Sequence, residues 1–157
     1  MKTANQWLAE YGESHQNETN ELIHWICVPS IFFSVLGLLW NIPLFGNRVP
    51  GAFSDWVNPA SLFVLLAFIY YAILSRRLAV GMLLIAFIFL FLNFLIEKSL
   101  GETWKVALTV FVLAWIGQFI GHKIEGKKPS FFKDMQFLLI GPMWLLSFIY
   151  KKLGISI

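Results

Sequence analysis

The sequence predicts a single-domain, all-α membrane protein: four transmembrane helices, then a C-terminal segment broken at Gly-Pro that re-enters, lies in the interface or forms a fifth span. Three observations carry this reading. Of the 157 residues, 58% are hydrophobic and 13% charged, whereas soluble proteins carry about 25% charged residues. The charged residues are gathered between long runs that contain none of Asp, Glu, Lys or Arg, at 22–47, 56–75, 78–96, 106–122 and 135–150. A bilayer core of roughly 30 Å needs about 20 helical residues, with about 17 to 25 tolerated. Four of the runs reach that length and the fifth is marginal.

Residues 1–25 read as a ligand-bearing segment on the cytoplasmic side. They contain Glu10, Glu13, Glu18 and Glu21, unlike the positively charged, apolar start of a cleaved signal peptide. The first span is predicted over about 26–40, because Pro43 and the sequence from Asn41 to Asn47 read as a turn. Asn58-Pro59 opens the second span, 59–75, with Asn as N-cap and Pro at the first helical position. Ser75-Arg76-Arg77 leaves room only for a tight antiparallel connection to the third span, 78–96. The fourth covers about 104–121, and 122–134 is a cytoplasmic loop. In 135–151, Gly141-Pro142 interrupts the apolar run, since an interior proline removes a helical hydrogen bond and clashes with the preceding turn. Trp144, Phe148, Tyr150, Lys151 and Lys152 suit an interfacial anchor.

Basic residues set the orientation. With the N-terminus inside, Lys2, Arg76, Arg77, Lys123, Lys127, Lys128 and Lys133 lie inside against Arg48, Lys98 and Lys105 outside, which is the distribution of a cytoplasmic N-terminus. The short chain suits a bacterial cytoplasmic membrane. A net charge of +3 without a basic stripe argues against a nucleic-acid partner. Cys27, the one cysteine, forms neither an internal disulfide nor a CxxC motif and reads as a small buried side chain. Asn93 reads as an interhelical hydrogen-bonding residue, and Trp25, Trp40, Trp56 and Trp104 as interfacial aromatics.

The chemistry rests on three histidines. His15 and His24 precede the first span and His122 ends the fourth, so an even number of crossings brings all three to one side. Gln118, His122 and Glu125 are spaced i, i+4, i+7 and share one helical face. Asn20 and His24 are four apart, whereas His15 and His24, nine apart, are about 900° of helical rotation from one another and point oppositely. They converge only if the chain breaks between them, and 16–20 offers Asn17 or Thr19 as the cap of a new helix. Three imidazoles with Glu125 as a candidate carboxylate suit Fe(II) or Zn(II), and open positions on Fe(II) admit dioxygen. Lys127 and Lys128 mark topology and are candidates to bind a substrate carboxylate.

Two blocks carry a family resemblance. Residues 11–29, with Tyr11, His15, Asn20, His24 and Pro29, and residues 118–129, with Gln118, His122, Glu125 and Pro129, resemble the 2-hydroxy fatty acid dioxygenase family, whose fungal founding member acts in phytosphingosine breakdown. The resemblance implies an Fe(II)-dependent oxygenase, without haem or 2-oxoglutarate, that shortens a long-chain 2-hydroxy fatty acid by one carbon. It implies iron held by His15, His24 and His122, with Glu125 as a fourth ligand or as the acceptor that fixes an imidazole. Asn20 and Gln118 are then the expected catalytic hydrogen-bonding residues, and the partners are the fatty acid, dioxygen and membrane lipid. Cys27 and the last segment depart from the family pattern, where many relatives have glycine and a carboxylate. A haem bundle using His24 and His122, or a noncatalytic membrane scaffold or lipid-binding protein, are the alternatives. A di-iron histidine-box enzyme needs roughly eight histidines by family analogy, and this chain has three.

Overall fold

The computed structural model describes residues 2–42, 54–126 and 137–157, and among them every regular element is helical. In chain order these are α1 (Ala4–Gly12), α2 (Glu18–Trp40), a 3-10 turn (Ser54–Trp56), α3 (Pro59–Leu74), α4 (Arg76–Leu100), α5 (Thr103–Ile124) and α6 (Ile140–Lys152). Three of them, α2, α4 and α5, are long and apolar enough to cross a membrane. At a rise of 1.5 Å per residue they measure about 34, 37 and 33 Å. The expected second span, 59–75, corresponds to α3, which is apolar but has 16 residues. Its length of about 24 Å falls short of the hydrocarbon core.

Local chemistry explains most of the boundaries. Thr3 and Gln6 form a reciprocal capping box at the start of α1. Asn17 caps α2 by accepting from the Thr19 and Asn20 N–H groups, with Glu18 and Glu21 in the first turn, where carboxylates complement the helix dipole. As the sequence predicted, Asn58 caps α3 through Ser61 N–H, with Pro59 opening the helix. Ser75 ends α3 and caps α4, so the two helices form a hairpin with a single-residue connection. Gly101 closes α4 with φ of 66°, a left-handed conformation that glycine adopts at little cost.

The first correction concerns the C-terminal segment. Gly141-Pro142 does not break it: both residues lie in the first turn of a continuous α6. The first N–H groups of a helix have no intrahelical acceptor, so proline there removes no helical hydrogen bond. Nor is α6 a surface anchor over its first half, since Ile140, Gly141, Pro142, Met143, Trp144, Leu145 and Leu146 are all buried. It fills the space between α1, α2 and α4, and only its end exposes Lys151 and Lys152. Tyr71 donates to the Leu139 carbonyl (2.6 Å) and Tyr150 to the Arg77 carbonyl (2.7 Å), pinning both ends of α6 to the α3–α4 hairpin.

Helices α2 and α5 form the most extensive packed pair. Gly117 and Gly121 lie against Cys27 and Asn20, where an added Cβ would collide with the facing side chain. Asn93 donates across the helices to the Phe33 carbonyl (3.4 Å) and within α4 to Phe89 (2.9 Å), in keeping with the interhelical role read from the sequence. Trp40 is buried in the core against Trp56 rather than set in an interfacial belt, while Trp104 is 46% exposed. Outward faces of α4 and α5 expose Val80, Leu84, Phe87, Ile88, Leu113 and Ile120, a run of large apolar side chains of the kind that marks a membrane or partner contact.

Candidate metal centre

The three imidazoles converge because the chain leaves helical geometry between them. α1 ends before His15, whose N–H closes a turn onto the Gly12 carbonyl, and the Asn17 cap starts α2 two turns ahead of His24. The opposition of a straight helix is thereby lifted. His122, in the last turn of α5, approaches from the antiparallel neighbour. One ligand atom from each of His15, His24 and His122 lies within 4.8 Å of the others, and all three residues are buried. Ring centroids are 4.2 Å apart for His15–His24, 5.1 Å for His24–His122 and 5.5 Å for His15–His122.

Backbone acceptors fix the two N-terminal rings. His15 Nδ1 lies 2.7 Å from the Tyr11 carbonyl, and His24 Nδ1 lies 2.8 Å from the Asn20 carbonyl. A carbonyl oxygen only accepts, so each Nδ1 carries the proton and each neutral ring presents an Nε2 lone pair. This is the arrangement of metal-ligating histidines, whose second ring nitrogen donates to a carbonyl or carboxylate. His24 Nε2 is buried with no hydrogen-bonding partner among the described residues. Burying a polar atom in this way costs about 1–3 kcal/mol, which coordination of a cation would remove. Metal–nitrogen bonds of about 2.1 Å bring ligand nitrogens somewhat closer than the present spread, a difference that small side-chain rotations close. The donor set therefore fits one small ion. Rings this close do not fit on opposite faces of a haem macrocycle.

Glu125 sits at the edge of the cluster and does something the sequence did not disclose. Its Oε1 accepts from Gln16 N–H, and its Oε2 from Asn17 N–H and the Asn20 amide, each at 2.9 Å. Desolvation works against its charge, but the Asn17, Gln16 and Asn20 donors outweigh it and hold the carboxyl below the usual carboxylate range. The carboxylate clamps the 13–17 link onto the end of α5, and so it holds His15 against His122. Neither imidazole Nδ1 with an assigned acceptor uses it.

Asn20 is fully buried. Its amide nitrogen donates to Ser14 O (3.2 Å) and to Glu125, while its Oδ1, buried with no hydrogen-bonding partner among the described residues, lies against Gly121. Gln118, one turn before His122, is buried beside the cluster. Lys127 and Lys128, the expected substrate-binding residues, lie outside the described residues, as does Pro129.

Two residues that sequence reasoning missed wall the site. Tyr11 stacks on His15 at 4.3 Å between centroids with 12° between planes, and Trp144 of α6 lies 5.3 Å from His15. The four-residue spacing of Tyr11 and His15 was available as a signal. Trp144 had none, because its place follows from the docking of α6.

Comparison with known proteins agrees with the two sequence blocks. The family described as 2-hydroxy-palmitic acid dioxygenase Mpo1-like matches residues 1–153. A Saccharomyces cerevisiae protein named 2-hydroxy-palmitic acid dioxygenase MPO1 is 30% identical over 152 residues, covering 94% of this chain and 79% of the yeast protein. No solved structure matches.

Proposed function

The chain belongs to the Mpo1-like family, and on that footing we propose that it is an Fe(II)-dependent membrane dioxygenase that converts a long-chain 2-hydroxy fatty acid to the acid one carbon shorter. The observation that carries the proposal is the buried triad of His15, His24 and His122, whose ligand atoms lie within 4.8 Å of one another. His24 contributes an otherwise unpartnered Nε2. The name of the yeast relative supports the substrate class.

When bound, Fe(II) supplies Lewis acidity toward the substrate's carboxylate and 2-hydroxyl, and the redox activity that dioxygen chemistry requires. The remaining roles belong to the chain. Tyr11 and Asn20 carbonyls hold the imidazoles of His15 and His24 in the ligating tautomer. Glu125 acts as a positioning residue for His15 rather than as a fourth ligand. Tyr11 and Trp144 exclude water from one side of the triad. Lys127 and Lys128 follow closely and are proposed to offset the substrate's negative charge.

The overall reaction balances with dioxygen alone. R–CH(OH)–COOH and O2 give R–COOH, CO2 and H2O: the bond between the first and second carbons breaks, and the substrate supplies all four electrons that dioxygen accepts. No second reductant enters. A membrane setting follows from the apolar surfaces of α4 and α5 and from the solubility of the substrate. In the proposed topology α2, α4 and α5 cross at full length, α3 crosses with local thinning of the bilayer, the N-terminus and triad face the cytoplasm, and α6 stays on that side.

The test is product analysis. Iron-loaded protein given 2-hydroxyhexadecanoic acid should consume one O2 per molecule and release pentadecanoic acid. His15→Ala, His24→Ala and His122→Ala should each abolish both. Oxygen uptake that is absent in the parent, or retained in all three variants, contradicts the assignment.

A further inference from the structure

A cavity of about 30 Å³ lies on the side of the triad toward the middle of the helices, lined among others by Tyr11, Val28, Ile31, Trp115, Gln118 and Pro142. Its position is set by helical periodicity. Val28 and Ile31 are four and seven residues beyond His24 on α2. Gln118 and Trp115 are four and seven residues before His122 on antiparallel α5, and Tyr11 is four before His15. Each of the three histidines thus has a cavity-lining residue one helical turn away, and the cavity extends about 6–10 Å from the triad along the helices. The lining is mostly apolar, and Gln118 is its polar side chain one turn from His122. Gln118, 6% exposed, lines the cavity. An amide that lines a small cavity one helical turn from the histidines is placed to hydrogen-bond a polar group bound between it and them.

We propose that this cavity receives the first carbons of the acyl chain of the 2-hydroxy acid, with Gln118 hydrogen-bonded to its 2-hydroxyl and the rest of the chain passing Ile31 and Trp115 into lipid. The inference rests on the dioxygenase reading and adds where the chain lies and what limits it. A volume of about 30 Å³ exceeds the roughly 10–15 Å³ that one water needs but falls far short of a long acyl chain. Only carbons close to the head are enclosed. Selectivity is accordingly for shape near the third carbon, and the side chain that sets it is Val28, which packs against Gly141 of α6. A methyl branch at the third carbon is excluded by Val28 and admitted when Val28 is shortened.

The experiment compares 2-hydroxyhexadecanoic acid with its 3-methyl counterpart in the parent, Val28→Ala and Val28→Phe, all iron-loaded in lipid nanodiscs. It adds photo-crosslinking, under anaerobic conditions, of a hexadecanoic acid bearing a diazirine at its fourth carbon. The parent should disfavour the branched acid by about tenfold or more in kcat/KM, the scale on which a pocket resolves one methyl-sized group. Val28→Ala should erase most of that preference. Val28→Phe should raise KM for both acids without loss of iron. Crosslinks should fall on Val28 and Trp115, which line this cavity and not the groove between α2, α4 and α6. Equal handling of both acids by all three proteins would overturn the proposal. So would crosslinks confined to the apolar groove of Ile85, Ile88 and Ile149 between α2, α4 and α6. If the parent consumes no oxygen with either acid, the dioxygenase reading fails by itself, and the crosslinks still decide whether the cavity binds acyl chains.

Discussion

Replacing Glu125 by alanine removes the acceptor of three N–H donors at once, from Gln16, Asn17 and Asn20. Hydrogen bonds to a charged group contribute roughly 1.5–3 kcal/mol each when intact, less where water can substitute, and Glu125 is only half-buried. Glu125→Ala should therefore destabilise the fold by about 1–3 kcal/mol. It should also weaken iron binding about 10- to 100-fold, the range for groups that orient ligands. Thermal unfolding in detergent and a competitive metal titration measure the two effects. Unchanged iron affinity would show that His15 is held without the clamp. At this scale the sequence disclosed the clustering: the approach of the three histidines, and the break that lets His15 turn toward His24, are written in the spacing and in Asn17. The use of Glu125 was hidden because two of its three partners are backbone N–H groups, which leave no side-chain signature.

Gly121 is where α2 and α5 approach most tightly at the site, since a Cβ there would collide with Asn20 Oδ1 and lie 3.4 Å from His24 Cε1. Gly121→Ala should separate the two helices, lower the unfolding temperature and reduce metal retention together. A variant with full iron content would contradict that coupling. Pro142 offers the opposite expectation. Because it opens α6 rather than breaking it, Pro142→Ala should change stability by no more than about 1 kcal/mol, the scale of proline's effect on the unfolded chain. A clear gain in stability on thermal unfolding would restore the broken-helix reading. Elements with local signals were legible, as at Asn58-Pro59 and Ser75, where one or two residues decide the cap. The start of α6 was not, because whether Gly141-Pro142 begins or interrupts a helix depends on how the segment docks on α1, α2 and α4.

Across the whole molecule, the proposed topology has an even number of crossings, which places the N-terminal segment and the end of α5 on one face of the membrane. With Cys27 replaced by serine, single cysteines at Glu10 and Lys151 should react with an impermeant thiol reagent only from the cytoplasmic side, and one at Glu102 only from the other. Labelling of Lys151→Cys from the Glu102 side would make α6 a crossing helix. The all-helical class and the bounds of α3 were legible from charge-free runs and local caps, whereas the burial of α6 reflects packing that apolar composition alone does not encode. All of these levels meet in the claim that His15, His24 and His122 form one metal centre. The measurement that tests it most directly is the iron content of protein purified anaerobically in Fe(II), for the parent and for His24→Ala. The expected result is close to one iron per chain in the parent and none in the variant, with the helical content of both alike. Iron absent from the parent, or bound equally by a folded His24→Ala protein, would contradict it.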